Sequence, residues 1–170
     1  CANTAWPGDS KNYGPGSLAG CSMVIFGGSS GIGLATAVHA AKHGAARITI
    51  IGRNEERLAS AVAKIKEAAA SPPPVVLSAS VDVTDEAKVV DFVNTLEDRS
   101  VDHLVTTPGG SARLGNLVAN KRSCDDVRRQ FNLKYFAQLA PVLAMSDKIK
   151  DHGSITMVSG ILSRRTGRGN

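Results

Sequence analysis

A cluster of glycine and serine residues stands between an apolar segment and a helical pattern near the start of the chain. The segment MVIFGGSSGIGLATAVHAAKHGA covers residues 23–45. Its first part has the composition of a short buried strand, and its last part has the apolar spacing of a helix. Glycine lets a chain turn sharply out of a strand, because it has no side chain to restrict the turn. The segment therefore predicts the first strand–turn–helix unit of an α/β fold.

The same alternation continues along the chain. Further strands are predicted at 47–51, 75–81, 101–107 and 153–159, and helices at 54–70, 85–98 and 123–145. The strands are rich in Val, Ile and Leu, which is typical of parallel strands buried on both faces. Helical crossovers between parallel strands are right-handed, which favours helices on both faces of the sheet. The sequence therefore predicts an α/β fold with a three-layer, doubly wound parallel sheet of the Rossmann-like kind.

The composition limits the class of protein. Of the 170 residues, 42% are hydrophobic and 21% are charged, as in an ordinary globular domain. Residues 1–18 are rich in Gly, Pro, Asn and Ser and are predicted to be a flexible segment before a domain at 19–170. Without a bilayer-length apolar segment or a signal peptide, we expect a cytoplasmic protein with no membrane partner. The basic residues are scattered and the cysteines lie far apart, so neither nucleic acid binding nor a metal site is expected.

The glycine cluster also has the chemistry of a phosphate-binding turn. A helix N-terminus carries unpaired N–H groups and a partial positive charge, which attract an anion. Gly27 would let the chain turn, Gly31 would leave space for a pyrophosphate, and Gly33 would let the helix approach the sheet. The hydroxyls of Ser29 and Ser30 could donate further hydrogen bonds. The alternative is a tight strand–helix turn without a ligand.

The second strand predicts which dinucleotide binds. An acidic residue at the end of this strand would bind the ribose 2′-hydroxyl of NAD. Gly52 occupies that position and Arg53 follows, and a guanidinium can bind a 2′-phosphate with paired hydrogen bonds. Asn54 could add a polar contact. We therefore predict NADP(H) as the cofactor; the alternative is that Arg53 is a solvated surface residue.

Five segments carry a resemblance to one family. GGSSGIG, residues 27–33, resembles the cofactor loop of the short-chain dehydrogenase/reductase family, with Phe26 where the family usually has Thr. VDVTD (81–85) is similar to the segment whose Asp holds the adenine, and DHLVTTPGG (102–110) to the fourth strand with its N-N-A-G motif. FNLKYF (131–136) and GSITMVSG (153–160) resemble the segments that carry a catalytic-site Asn and the catalytic Ser.

The resemblance implies an NADP(H)-dependent oxidoreductase that interconverts a carbonyl and an alcohol on a small organic substrate. It implies catalytic roles for Asn132 and Ser159, although Gly160 occupies the usual Ser position in the register of the strand. The implied cofactor contacts are Gly27, Ser29, Ser30, Gly31, Ile32, Gly33, Arg53, Asn54, Asp82, Val83, Thr107 and Gly109.

The sequence also departs from the family. The Tyr-x-x-x-Lys dyad is absent, because Tyr13 lies in the N-terminal segment and Tyr135 is followed by Leu139 at the position of the lysine. In the family, the dyad and two more strands follow the fifth strand. We therefore expect this segment to lack the last strands of the sheet, to be inactive alone, and to form a homo-oligomer in its full-length form. The alternative is a non-catalytic NADP(H)-binding module or sensor, or an inactive fragment, which TTPG (106–109) in place of N-N-A-G also favours.

Overall fold

The structure is a computed structural model that describes residues 18–109 and 123–159, so the predicted N-terminal segment lies almost wholly outside it. The strands are β1 (Ser22–Phe26), β2 (Arg47–Gly52), β3 (Val75–Ser80), β4 (Val101–Thr106) and β5 (Ile149–Met157). The helices are α1 (Gly31–Lys42), α2 (Glu55–Glu67), α3 (Glu86–Val93), α4 (Cys124–Phe131) and α5 (Ala137–Ala144). A π-helical segment, Asn132–Phe136, connects α4 to α5 and is called the π turn below.

The strands form one parallel sheet in the order β3-β2-β1-β4-β5. The chain moves outwards from β1 to β3, crosses back, and continues on the other side of β1 with β4 and β5. The side of β1 on which successive strands are added therefore changes between β1 and β4. The last residues of these two strands, Phe26 and Thr106, pair with each other. In doubly wound sheets, ligands bind at the carboxyl ends of the strands beside such a reversal.

Two hydrophobic clusters lie on opposite faces of this sheet. On β1, Met23 and Ile25 pack with α1 and α2, whereas Val24 and Phe26 pack with α3 and α5. The alternation arises because successive side chains of a strand point to opposite faces. All four side chains are buried, which explains the continuous apolar strands of the sequence. The predicted three-layer α/β fold is confirmed.

Three helix ends are formed by residue types that favour such ends. Asn54 Oδ1 accepts a hydrogen bond from Arg57 N at 2.8 Å at the start of α2. Ser123 and Asp126 form a reciprocal capping box at the start of α4. Gly44, which follows α1, has a φ of +85°, a conformation that favours glycine.

The predicted helix at 123–145 is confirmed in extent, because helical structure runs without a break from 124 to 144, but it is not a regular α-helix throughout. In a regular α-helix, the i, i+4 spacing of Phe131 and Tyr135 predicts one apolar, buried face, but their exposed fractions are 60% and 53%. The π turn widens the helix locally and rotates the residues that follow it, so the regular spacing does not continue beyond Phe131. Ala137 and Met145 are the residues of this region that are completely buried.

Strand β5 begins earlier than predicted because it contains an irregularity. Val101 pairs with Ile149 but His103 pairs with Ser154, so the residues between those pairs are one in β4 and four in β5. The β4 residue is Asp102, whose Oδ2 accepts hydrogen bonds from Ser22 N at 2.8 Å and Lys150 Nζ at 3.0 Å. Burial alone would raise the pKa of Asp102, but these hydrogen bonds and the Lys150 charge outweigh burial and lower it.

We expect Asp102→Asn to lower the free energy of unfolding at pH 7 by about 1–3 kcal/mol, because a neutral amide leaves the buried partners poorly satisfied. The pKa of Asp102 in the folded protein is lower than its value of about 3.9 in the unfolded chain, so its stabilisation of the fold is complete at a pH above about 3.9. The stabilisation is lost as the pH falls through the folded pKa. The gap between wild type and variant should therefore narrow below pH 4, as measured by urea unfolding across pH.

Asp151→Asn provides the control. Asp151 pairs with Arg99 at 2.6 Å, but the two side chains are 79% and 60% exposed, so its removal should change stability little. Equal losses in the two variants, or a gap that is independent of pH, would contradict the assigned role of Asp102.

Candidate functional site

A cavity of about 850 Å³ opens beyond the carboxyl ends of the strands, at the reversal between β1 and β4. Its volume lies in the range of small-molecule and cofactor sites. Of the residues predicted from the sequence, it brings together Gly27, Ser29, Ser30, Gly31, Ile32, Arg53, Asn54, Val83, Thr107, Gly109 and Ser159. Gly33, Asp82 and Asn132, also predicted, do not line the cavity.

The glycine turn after β1 adopts the conformation for which glycine is needed. Gly27 and Gly31 have φ angles of +82° and +54°, in the left-handed region. Gly27 N and Gly28 N donate to Ile51 O at 2.9 and 3.1 Å, which holds the turn against the end of β2. A Cβ at Gly31 would meet nothing within 4 Å, so the backbone at this point is open to a ligand.

Gly33 allows α1 to begin very close to the sheet. A Cβ there would overlap Gly27 O and lie 2.6 Å from Thr107 Oγ1. Both Thr107 N and Thr107 Oγ1 donate to Phe26 O, at 2.9 and 3.0 Å. Gly33 therefore does not line the cavity but allows α1 to lie close to the strand ends beside it. The Thr107 hydroxyl links β4 to β1 through its hydrogen bond to Phe26 O.

The N-terminus of α1 suits an anion. Its first N–H groups have no partners within the helix, and its first turn holds no acidic residue. The Ser30 side chain precedes the helix without capping it, although Ser30 lines the cavity. Together with the helix dipole, these groups favour a phosphate at the glycine turn.

At the end of β2, a serine side chain lies beside Gly52 and two arginine side chains line the cavity. A Cβ at Gly52 would lie 2.9 Å from Ser29 Oγ, so the Ser29 side chain occupies the space that a larger residue at 52 would need. Arg53 and Arg57 are exposed and line the cavity, and within the described ranges neither pairs with a carboxylate. Sequence reasoning missed Arg57, whose place one helical turn after Arg53 was the available signal.

Asp82 mainly stabilises the turn after β3. Its Oδ1 accepts hydrogen bonds from Thr84 N at 3.0 Å and Thr84 Oγ1 at 2.8 Å. Burial alone would raise the pKa of Asp82, but the two Thr84 bonds and the nearby charge of Arg53 lower it. Its neighbours Val81 and Val83 line the cavity, and the predicted adenine contact of Asp82 stays a prediction.

The opposite end of the cavity lies between β4, β5 and the π turn. Lys134, Tyr135 and Ser159 line this end, and Lys134 Nζ lies 3.5 Å from the Cβ position of Gly109. Asn132 is exposed outside the cavity, so its predicted catalytic role stays a prediction without support from this geometry. Lys134 and Tyr135 were missed as site residues because the π turn has no signature in the apolar spacing.

The described residues contain neither a candidate metal site nor a candidate membrane-spanning helix. No group of three or more His, Cys, Asp or Glu side chains there could hold a metal ion. None of the helices in residues 18–109 and 123–159 has the length and apolarity needed to cross a membrane.

Comparison with known proteins places this geometry in context. The profile of the family described as short chain dehydrogenase matches residues 22–169. The chain is 38% identical over 152 residues to 3-ketodihydrosphingosine reductase of Bos taurus and 32% identical over 150 residues to 3-dehydrosphinganine reductase of Danio rerio. Each match covers 85% of this chain and 44% of the relative, so the chain spans less than half of their length.

A solved structure shows the same fold. The short-chain type dehydrogenase/reductase from Mycobacterium ulcerans superposes with a TM-score of 0.77 at 24% sequence identity. The superposition covers 89% of this chain and 55% of that structure.

We expect Gly33→Ala to lower the free energy of unfolding by about 1–3 kcal/mol, because the added methyl overlaps backbone and forces β1, β4 and α1 apart. Gly109→Ala is the matched control, since its Cβ would make only an ordinary contact with Lys134 Nζ at 3.5 Å. Its effect should stay within about 0.5 kcal/mol. Urea unfolding of both variants measures the difference, and equal stability would show that the close packing at Gly33 is not required.

Proposed function

The chain belongs to the short-chain dehydrogenase family, and from this premise we propose that it is an NADP(H)-dependent oxidoreductase that interconverts a carbonyl and an alcohol. Members of this family are oxidoreductases that use a nicotinamide dinucleotide. The observation that carries the proposal is the charge of the cavity: its described lining contains Arg53, Arg57 and Lys134 and no Asp or Glu. A dinucleotide with a 2′-phosphate is the more anionic of the two cofactors, and it fits this lining.

The residues present fit the cofactor along the whole cavity. The open backbone at Gly31 and the first amides of α1 would hold the diphosphate, with hydroxyl donors from Ser29 and Ser30. Arg53 and Arg57 would bind the 2′-phosphate at the β2 end, since paired guanidinium hydrogen bonds match phosphate oxygens. The nicotinamide would then lie towards the β4 and β5 end of the cavity.

The end of β2 also supports the choice of NADP(H) over NAD(H). Gly52 provides no acidic side chain, so the ribose 2′-hydroxyl of NAD would lack its usual acceptor. Arg53 and Arg57 line the cavity beside that position and would supply a phosphate site.

The chemistry belongs to the other end of the cavity. NADP(H), when bound, supplies or accepts the hydride. The Ser159 hydroxyl lines this end and would orient the substrate oxygen, and the Lys134 ammonium would stabilise negative charge on that oxygen. Reduction of a carbonyl also needs a proton donor. The donor tyrosine of the family follows the fifth strand, whereas Tyr135 precedes β5, so Tyr135 is proposed only as a lining residue of this end of the cavity.

The relatives suggest a first substrate. Both reductases named above act on a 3-keto group of a sphingoid base, as their names state. A 3-keto long-chain amino alcohol is therefore the carbonyl compound that we propose to test first, beside small ketones.

A second candidate function is a non-catalytic NADP(H)-binding module. Asn132 lies outside the cavity, and TTPG stands at 106–109 in place of N-N-A-G. These two departures change family features near the β4 end of the cavity but leave the proposed dinucleotide-binding residues in place.

We expect Arg53→Ala and Arg57→Ala each to weaken NADPH binding by about 10- to 100-fold, the value of one or two charge-assisted hydrogen bonds. Affinity for NADH should change by less than about 2-fold, because NADH has no 2′-phosphate. Nicotinamide fluorescence titration measures both. Arg47→Ala, an exposed arginine at the opposite end of β2, is the control and should leave both affinities unchanged. Equal affinities of the wild type for NADPH and NADH would contradict the proposed selectivity.

We expect the full-length protein to oxidise NADPH with one or more members of a panel of ketones, quinones and 3-ketodihydrosphingosine. Ser159→Ala should lower kcat by about 10-fold or more while leaving NADPH affinity intact, because it removes only the group proposed to orient the substrate oxygen. Tight NADPH binding without oxidation across the panel would favour the binding module instead. An unchanged kcat in Ser159→Ala would refute the role of Ser159 alone.

A further inference from the structure

Gln138, a buried polar residue on α5, is hydrogen-bonded through both the oxygen and the nitrogen of its side-chain amide. Gln138 is 9% exposed and stands beside Ala137 in a helix that otherwise packs apolar groups against the sheet. Its Oε1 accepts from Val158 N at 3.1 Å, and its Nε2 donates to Lys134 O at 3.0 Å. Burying an amide is costly without partners, and an apolar residue would fill this position more simply.

The two partners belong to the two segments that border the substrate end of the cavity. Val158 directly precedes Ser159 at the end of β5, and Lys134 lies in the π turn. Val158 N also donates to Thr106 O at 3.2 Å, so the strand end is held by β4 on one side and Gln138 on the other. Gln138 itself lines the cavity between these segments.

Only a neutral amide in one orientation satisfies both partners. Turning it over would place its NH₂ group against the Val158 N–H and its oxygen against the Lys134 carbonyl. Glutamate would keep the acceptor for Val158 but would set a charged oxygen against the carbonyl of Lys134. The side chain therefore joins one donor and one acceptor at a defined separation.

We propose that Gln138 is a positioning residue that sets the distance between the π turn and the end of β5, and so places Lys134 and Ser159 around the substrate oxygen. This inference rests on the proposed function, because it gives these two side chains a common substrate. Gln138 acts through the two backbone groups that it holds.

The test compares two ligands of the full-length protein. NADPH would extend over both halves of the cavity under the proposed function, whereas 2′-phospho-ADP-ribose lacks the nicotinamide and would occupy only the adenine half. Gln138→Met should weaken NADPH by about 3- to 10-fold and leave 2′-phospho-ADP-ribose within about 2-fold, since one or two neutral hydrogen bonds are lost at one end only. The kcat of NADPH oxidation should fall by about 10-fold or more, because a misplaced group of this kind costs that much.

Gln138→Glu supplies a readout that a merely structural role would not move. Burial beside a carbonyl oxygen raises the pKa of a glutamic acid, and the protonated acid regains the donor for Lys134 O. Its kcat should therefore be close to that of the wild type at low pH and fall as the pH rises through that pKa. The wild type should lack this step in its pH profile.

Gln130→Met is the matched control, a glutamine on α4 outside the described cavity lining. Wild-type values of kcat and NADPH affinity in Gln138→Met would overturn the inference. Parallel loss of both ligands together with a lower melting temperature would also overturn it, since Gln138 would then only stabilise the fold. If the wild type binds no dinucleotide, the proposed function fails first; if it binds and the Gln138 variants behave normally, only this inference fails.

Discussion

Thr107 joins β1 and β4, the two neighbouring strands between which the strand order of the sheet reverses. Its amide and its hydroxyl both donate to Phe26 O, so β1 and β4 stay together one residue beyond their last pair. The hydroxyl oxygen fills the space beside Gly33 that a side chain there would need. This contact allows α1 to start directly above the junction, with its unpaired amides at the opening between the strands. The remainder of the site is arranged around that point.

From this junction the cavity divides into two halves with different physical origins. On the β2 side, the site consists of backbone groups and charges: glycines with positive φ, helix amides, and the guanidiniums of Arg53 and Arg57, on which the proposed dinucleotide binding would depend. On the β5 side, it depends on side chains whose positions are set by a distorted helix. The first half is therefore tolerant of small movements, because a phosphate is attracted over several ångströms. The second half must hold its groups closely, because proton and hydride chemistry depends steeply on distance.

The residues on the β2 side of the cavity could be predicted from the sequence, whereas most of those on the β5 side could not. The glycine spacing, Arg53 and the caps at Asn54 and Ser123 are local features, so their chemistry could be read from neighbouring residues in the chain. Tyr135 was assigned to a buried helix face because the spacing was assumed to be that of a regular α-helix throughout. The π turn invalidates that assumption, and the irregular start of β5 likewise escaped prediction because its extra residues are polar and lie across from Asp102. Gln138 gave no signal, since a glutamine in a helix is unremarkable until its partner Val158, 20 residues further along the chain, is known.

The amino-acid sequence alone determined the α/β class, the order of the elements, the glycine turn after β1 and the presence of a basic residue directly after β2. These depend on periodicity, on backbone freedom and on charge, which are properties of short segments. Only the tertiary structure decided that Ser29 fills the space at Gly52, that Arg57 and Lys134 join Arg53 around one cavity, and that Asn132 lies outside it. Those relations depend on how the strands lie side by side and on where one helix departs from regular geometry, because both bring together residues that are far apart in the chain.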